Sequence, residues 1–525
     1  MDQYEMDEGK IPPPYVFEVD GEVVANAYPG QRTTGTRDER TRVKRVFSFA
    51  QIFFFALTFM SSWETMATNL QATLYNGGPQ ALAWGILIVL AGALAQSASL
   101  AEMASAQPIA GAQYHWTHAL APMKHRRFIT WMQGWITWFA WVSTLAGVAN
   151  TSAYMLQSLI VANNPNYVAK PYHVTLIIFA LLIVGGLMNM YAWFLIPWIE
   201  LLAGITHIVL FIIFVVVLVT LAPRHTPSFV FFANESSSGW ENPFVSFNLG
   251  LWTCTWGFVG FDGAVHMSEE VRQARHAVPR AMFWGIVLNG IFAYAIILVM
   301  LFCLGDMEAA LSAPFPIIEI CTQATGSVGA ATAMVSGLMI ISSAVTLGSI
   351  ASASRLTWAW ARDGGLPAWF SYISPRHRIP VRSIWLPIFL VVCLACLNIA
   401  SYAAFGAFIS LASLALFTSY AIAIACMLRS RLRNEVQYGG WKLGRLGVPV
   451  NIFALLYSGW MSIFFCFPQY LPVTGAGFNY ALPIFAFVVL VALVLWFARA
   501  KAHWPGLNKE VIDLVLADSD RNTKD

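Results

Sequence analysis

The sequence predicts an all-α integral membrane protein of twelve transmembrane helices with both ends in the cytoplasm. Three observations carry that prediction. The 525 residues are 58% hydrophobic and only 11% charged, whereas soluble domains carry roughly 25% charged residues to cover their surfaces. Apolar stretches near the ~20 residues that cross a bilayer as helix recur twelve times along the chain. Lys and Arg fall almost entirely in alternate loops, 28 of 30 on one side.

The elements follow in order. Residues 1–46 are polar, rich in Pro, Gly and both charges, and read as a disordered cytoplasmic tail. Met1 is followed by Asp2, Glu5, Asp7 and Glu8 rather than a basic stretch, so no cleavable signal peptide is expected. The twelve-helix domain, 47–500, places spans at 48–75, 81–105, 128–160, 174–191, 194–222, 244–268, 282–304, 328–352, 384–400, 402–428, 448–469 and 477–499. Only "IASY" divides 384–400 from 402–428. Residues 501–525 are polar again, a second cytoplasmic tail.

Positive charge sets the orientation. With the N-terminus inside, the basic residues of the N-tail, of 124–127, 272–280, 355–382 and 429–445, and of 499–524 are all cytoplasmic, which leaves Lys170 and Arg224 outside. "NES" at Asn234 is an N-glycosylation acceptor, and this topology puts it in the outside loop 223–243; a second match at Asn150 lies within an apolar span and is discounted. Because the basic residues sit in loops and tails, the net charge of +3 does not point to nucleic acid. Seven cysteines form no zinc-type pattern, and Cys393 and Cys396 read as small buried hydrophobes. There is no G-x-x-x-x-G-K-[ST] loop for ATP, no nucleophile elbow, no paired-carboxylate motif and no metal-ligand cluster, so neither an enzyme nor a cofactor is expected.

An ionisable side chain within a span costs several kcal/mol unless it is paired or faces a cavity. The spans hold Glu64, Glu200, His207, Asp262 and His266, with Glu102, Glu269 and Glu270 near cytoplasmic ends. Glu200 is placed to snorkel from the start of its span, and the three terminal glutamates to pair with loop arginines. Glu64 in "MSSWE" and Asp262 in "GFVGFDG" both stand beside helix-weakening residues. Their spans, the first and sixth, are thus both interrupted and lie five apart, the pattern of inverted five-helix repeats whose broken helices meet at a binding site. Broken backbone survives in a membrane only where it lines a cavity. Half-helix N-termini favour an anionic group, and freed carbonyls and carboxylates an ammonium.

"FVGFDGAVHMSEEVRQARHAVPRA" (258–281), "AEMASAQPIAGAQYHWTHALAP" (101–122) and "SASRLTWAWARDGGLPAWF" (352–370) resemble, in family order, signatures of the amino acid–polyamine–organocation transporters. "SSWE", "NGGP" and "QYHW" look closest to the fungal amino acid/choline permeases, among them choline and 4-aminobutyrate carriers. The resemblance implies a LeuT-like five-plus-five inverted repeat with two further C-terminal helices, working by alternating access without ATP and typically driven by protons or exchange.

The resemblance also assigns roles. Trp256 matches an aromatic that covers substrate in some relatives; an ordinary packing Trp is the alternative. Phe258 and Phe261, beside Gly260 in the sixth break, are candidates for an aromatic cage around an ammonium. Asp262 falls where relatives carry an acid and is the first choice for sensing a proton or amine. Ser62, Trp63 and Glu64 form the first break, with Glu64 placed to counter a substrate cation. "FMSSWE" departs from the glycine-rich break of amino-acid carriers, which argues against an α-amino acid with a free carboxylate. His207 falls near a lysine that replaces sodium in some relatives; its ordinary pKa near 6.5 suits a coupled proton, and an interior helix-bonded histidine is the alternative. The expected function is a proton-coupled plasma-membrane permease for choline, 4-aminobutyrate or an amino acid. The alternatives are a transporter of a specialised metabolite and a non-transporting nutrient receptor, which the short tails disfavour.

Overall fold

The computed structural model describes residues 45–507 except 235, 314, 375–377, 401–403 and 476–477, together with 16–19, 22–25 and 512–513. Most of the two expected tails therefore lies outside the described residues. Within the first, Val16–Val19 (β1) and Glu22–Ala25 (β2) pair antiparallel.

The first expected span is two helices, α1 (Phe49–Met60) and α2 (Ser62–Tyr75). There follow α3 (Gly78–Ala106), α4 (Gln113–Leu120), α5 (Arg126–Asn163), α6 (Pro171–Tyr191) and α7 (Ile196–Leu221). The sixth expected span is also divided, into α8 (Pro243–Trp256) and α9 (Gly263–His266). The rest are α10 (Ala274–Phe302), α11 (Val328–Arg362), α12 (Val381–Ala395), α13 (Ala404–Leu432), α14 (Gly447–Phe464) and α15 (Ala481–Leu495), with shorter helices in the loops. Among the described residues 10 helices are long and apolar enough to cross a membrane. The two of the twelve expected spans missing from that set are the broken ones, because neither half reaches the required length.

Local chemistry fixes several helix starts. Ser48 and Gln51 cap α1 reciprocally, with the Ser48 N–H donating to Gln51 Oε1 at 3.0 Å. Asn242 Oδ1 accepts from the N–H groups of Phe244 and Val245 before Pro243 opens α8. Packing then sorts the helices. α5 packs on α11 and α13, α3 on α10, and α1 on α7 and α10. Within 409–432 an 18-residue apolar stretch is 72% buried and within 481–503 only 17%, so α13 belongs to the core and α15 to the rim. Leu202, Ile205, Val209, Ile212 and Val216 of α7 are exposed, an apolar outer face suited to lipid.

Segments that the charge pattern assigns to one side meet one another. Arg355 pairs with Glu270 at 2.7 Å, Arg362 with Glu269 at 3.2 Å, and Arg431 with Glu102, so all three terminal glutamates take arginine partners. The N–H groups of Val46 and Phe47 donate to the Glu270 carbonyl, which ties the entry of α1 to the exit of the sixth span. The second tail begins by docking: Trp504 is buried against Trp131 and its indole N–H donates to the Asp363 carbonyl at 2.7 Å. At the other end, Trp240 donates to the Pro468 carbonyl and Leu471 to that of Ser238. Cys393 and Cys396 are exposed rather than buried, on a helix whose outer face is apolar.

Candidate functional site

Both breaks are real interruptions of hydrogen bonding. α1 stops because Ser61 takes left-handed backbone angles, φ 39° and ψ 49°, costly for a residue with a Cβ. Asn289 of α10 holds the two halves together. Its amide oxygen accepts from the Ser62 N–H at 3.1 Å, and its amide nitrogen donates to the Leu57 carbonyl at 3.0 Å. In the sixth span α8 ends at Trp256, and Gly260 at φ +80° turns the chain before α9. The breaks touch: the Ser62 hydroxyl donates to the Gly257 carbonyl at 2.5 Å.

A cavity opens beside this junction. Its walls come from both breaks (Phe59, Ser61, Glu64, Trp256 and Val259), from α5 (Thr144, Thr151) and from α11 (Ser342). Thr65 and Thr68 add two more hydroxyls. Glu64 is the only ionisable side chain in the lining, and the aromatics there are Phe59 and Trp256. The indole of Trp256 fits because α5 carries glycine opposite it: a Cβ on Gly147 would lie 2.9 Å from the ring.

Glu64 and His207, from the first and fifth of the expected spans, are brought together. His207 Nδ1 lies 2.6 Å from Glu64 Oε1, with both side chains buried. Among the described residues Glu64 Oε2 and His207 Nε2 have no hydrogen-bond partner. The imidazole is walled by the rings of Trp63 and Phe292. Glu64 sits in the first turn of α2, at the positive end of the half-helix dipole.

The other predicted residues divide differently. Ser62 joins the breaks, but Ser61 is the serine that lines the cavity. Trp63 points away from the lining into α7, donating to the His207 carbonyl at 3.3 Å and packing on Phe214. Phe258, Gly260 and Phe261 lie outside the lining, and Phe261 packs on Tyr420 at 5.0 Å. The aromatic rings in this lining are thus Phe59 and Trp256 rather than the expected Phe258 and Phe261.

Asp262 is also away from the lining and is saturated. Tyr420 donates to Oδ1 at 2.5 Å; Gln113 and Trp141 donate to Oδ2 at 2.6 and 3.1 Å, and His266 lies 3.4 Å away. Glu200 does not snorkel: it is buried and accepts from the Thr58 hydroxyl at 2.7 Å. Sequence reasoning missed Asn289, Tyr420, Gln113 and the α5 threonines. Asn289, a lone amide in an apolar span, carried the one legible signal, since such a group needs a partner.

Comparison with known proteins agrees with this architecture. The family profile described as amino acid permease matches residues 47–492. Amino-acid permease 2 of Neurospora crassa is 30% identical over 88% of this chain and 86% of its own length. A choline transporter of Saccharomyces cerevisiae is 27% identical over 90% of this chain and 84% of its own length. A swainsonine transporter of Arthroderma benhamiae is 28% identical over 82% and 85%.

Proposed function

The chain belongs to the amino acid permease family, and on that footing we propose that it is a secondary transporter of a small organic ammonium compound, choline or 4-aminobutyrate in type. Members of this family are transporters rather than enzymes. The observation that carries the substrate class is the cavity at the two helix breaks, where one carboxylate, Glu64, is the only ionisable group in the lining, placed for an ammonium, and hydroxyls rather than a basic side chain would meet a carboxylate such as that of 4-aminobutyrate. An ammonium gains from the anion and from the faces of Phe59 and Trp256, each such aromatic contact worth about 0.5–2 kcal/mol. The hydroxyls of Thr144, Thr151 and Ser342 suit a polar tail on the same molecule.

The working cycle follows from the broken helices. The two broken spans complete twelve crossings in a five-plus-five inverted repeat with two peripheral helices, and rocking of the repeats opens the cavity to each side in turn. Trp256 acts as the lid on the occluded substrate. Proton coupling is assigned to His207 through Glu64, while Asp262 holds the sixth break in shape. Plasma-membrane residence, cytoplasmic termini and a glycan on the exposed Asn234 complete the reading.

Radiolabel transport in permease-deficient cells, with choline, 4-aminobutyrate and common amino acids, tests the substrate class. Saturable transport of an ammonium compound that is lost in Glu64→Gln supports it, and transport of only uncharged or anionic compounds overturns it. Orientation is tested by single-cysteine labelling in intact cells: position 230 should react with an impermeant reagent and position 435 should not.

A further inference from the structure

The pairing of Glu64 with His207 fixes more than the location of a proton. One carboxylate serves two claimants. Glu64 Oε1 is held by His207 Nδ1 at 2.6 Å, and Glu64 also lines the cavity, with Oε2 unpartnered among the described residues. The imidazole is fully buried between Trp63 and Phe292, and its far nitrogen, Nε2, has no partner among those residues. A proton on His207 therefore has one polar way out, through the Glu64 carboxylate into the cavity.

We infer that a proton and the substrate cation compete for Glu64, so that this permease exchanges the two across the membrane instead of carrying them together. The inference rests on the ammonium reading proposed above. In the proton-loaded state of the cycle an imidazolium at His207 neutralises Glu64 across the 2.6 Å contact. When an ammonium approaches Oε2, two cations face one anion in a site walled by aromatic rings, where low polarisability strengthens their repulsion. His207 gives its proton to the carboxylate, the carboxylate releases it into the cavity, and the ammonium takes its place. Before the exchange the anion is matched by imidazolium, and afterwards by ammonium, with one proton released. Charge balances, and the site is neutral in both states. Linkage makes the effect reciprocal: the proton weakens ammonium binding by the factor with which the ammonium weakens proton binding.

No other charged group on the surrounding elements supplies the missing anion among the described residues. α1 carries no ionisable side chain. On α7 itself Glu200 is bonded to Thr58. On the helix Pro316–Thr325, Glu319 bonds to Gln323. Arg355 and Arg362 of α11 pair with Glu270 and Glu269. The titratable groups of α10 are Tyr294 and, within its first two turns, Arg275, His276 and Arg280. Under an inward proton gradient this exchange drives the cation outward, a direction that co-transport would reverse.

The test uses the full chain in proteoliposomes with a trapped pH dye, an inward choline gradient and the membrane potential clamped. Choline entry should alkalinise the interior, and the apparent affinity for choline should weaken by about tenfold per pH unit on the acid side, the slope of one-for-one competition. His207→Gln should transport choline without moving the dye and with an affinity that no longer follows pH. Acidification of the interior, or wild-type choline flux with no pH change, overturns the inference while leaving the ammonium reading intact. If neither choline nor 4-aminobutyrate moves through the wild-type protein, the ammonium reading fails and the inference with it. The sign of the wild-type signal decides the matter even if the variant does not fold.

Discussion

Each helix break holds a carboxylate beside a histidine, yet the two pairs are built for different ends. Glu64 faces a cavity, meets His207 with one oxygen and, among the described residues, keeps the other without a partner. Asp262 accepts from Tyr420, Gln113 and Trp141 with His266 at 3.4 Å, and it lies outside the lining of that cavity. A carboxylate whose lone pairs are filled by fixed donors contributes to stability and specificity of packing; one left half-satisfied is available to a ligand. The presence of an acid at a break thus says less than the number of donors already aimed at it.

That contrast can be broken most directly by removing each carboxylate in turn. Glu64→Gln should leave folded protein near normal while lowering transport on the order of 100-fold, the scale of roughly 3 kcal/mol for a lost charge-assisted contact. Asp262→Ala should do the opposite first, stranding three buried donors at a cost of about 3–5 kcal/mol. Size-exclusion profiles of the detergent-extracted protein would then show loss of the folded peak. If both variants fold normally and lose transport alone, the distinction between the two carboxylates is wrong.

The next effect concerns the joint between the breaks. Asn289→Leu removes the acceptor of the Ser62 N–H and the donor to the Leu57 carbonyl, leaving buried backbone groups unpaired at about 1–3 kcal/mol each. Its melting temperature should fall, with substrate affinity falling as well because Ser61 and Glu64 are set by the same joint. A melting loss with unchanged affinity would show that the break holds its shape without Asn289.

The lid should give a smaller change. Trp256→Ala should lower transport about tenfold, from loss of a cation–aromatic contact of ~0.5–2 kcal/mol and of closure, and Trp256→Phe should keep part of it. Gly147→Ala, whose Cβ would sit 2.9 Å from the indole, should slow transport a few-fold by overpacking worth about 1–3 kcal/mol. Wild-type rates in Trp256→Ala would return that residue to ordinary packing.

A third carboxylate–histidine pair, outside the spans, calibrates the comparison with the smallest effect. Asp363 Oδ2 accepts from Tyr114 at 2.7 Å and meets His115 at 2.9 Å. Burial alone would raise the carboxyl's pKa, but Arg362, His115 and the hydrogen bonds from His115 and Tyr114 outweigh it and hold it below the usual carboxylate range. Because the folded value is the lower one, its stabilisation is complete above the unfolded value of about 4 and is lost as pH falls through the folded value. The melting temperature should drop in acid, and Asp363→Asn should flatten that drop. An unchanged acid profile in the variant would show that Asp363 adds nothing through its charge.

The sequence by itself determined the membrane-spanning class, the places where ten helices run unbroken, the two interruptions and the family. Each rests on a local or additive property: apolar run length, loop charge, left-handed or glycine-containing backbone, and motif order. Trp256 and Glu64 were legible as site residues because they stand next to the breaks. The pairing of Glu64 with His207, 143 residues apart, was not, and neither was the saturation of Asp262 by donors from α4, α5 and α13. Which face of a helix turns toward a cavity, and which polar groups converge on one carboxylate, depend on how helices distant in sequence pack together. An isolated acidic residue in an apolar span announces that it must be satisfied; only the tertiary structure decides by what.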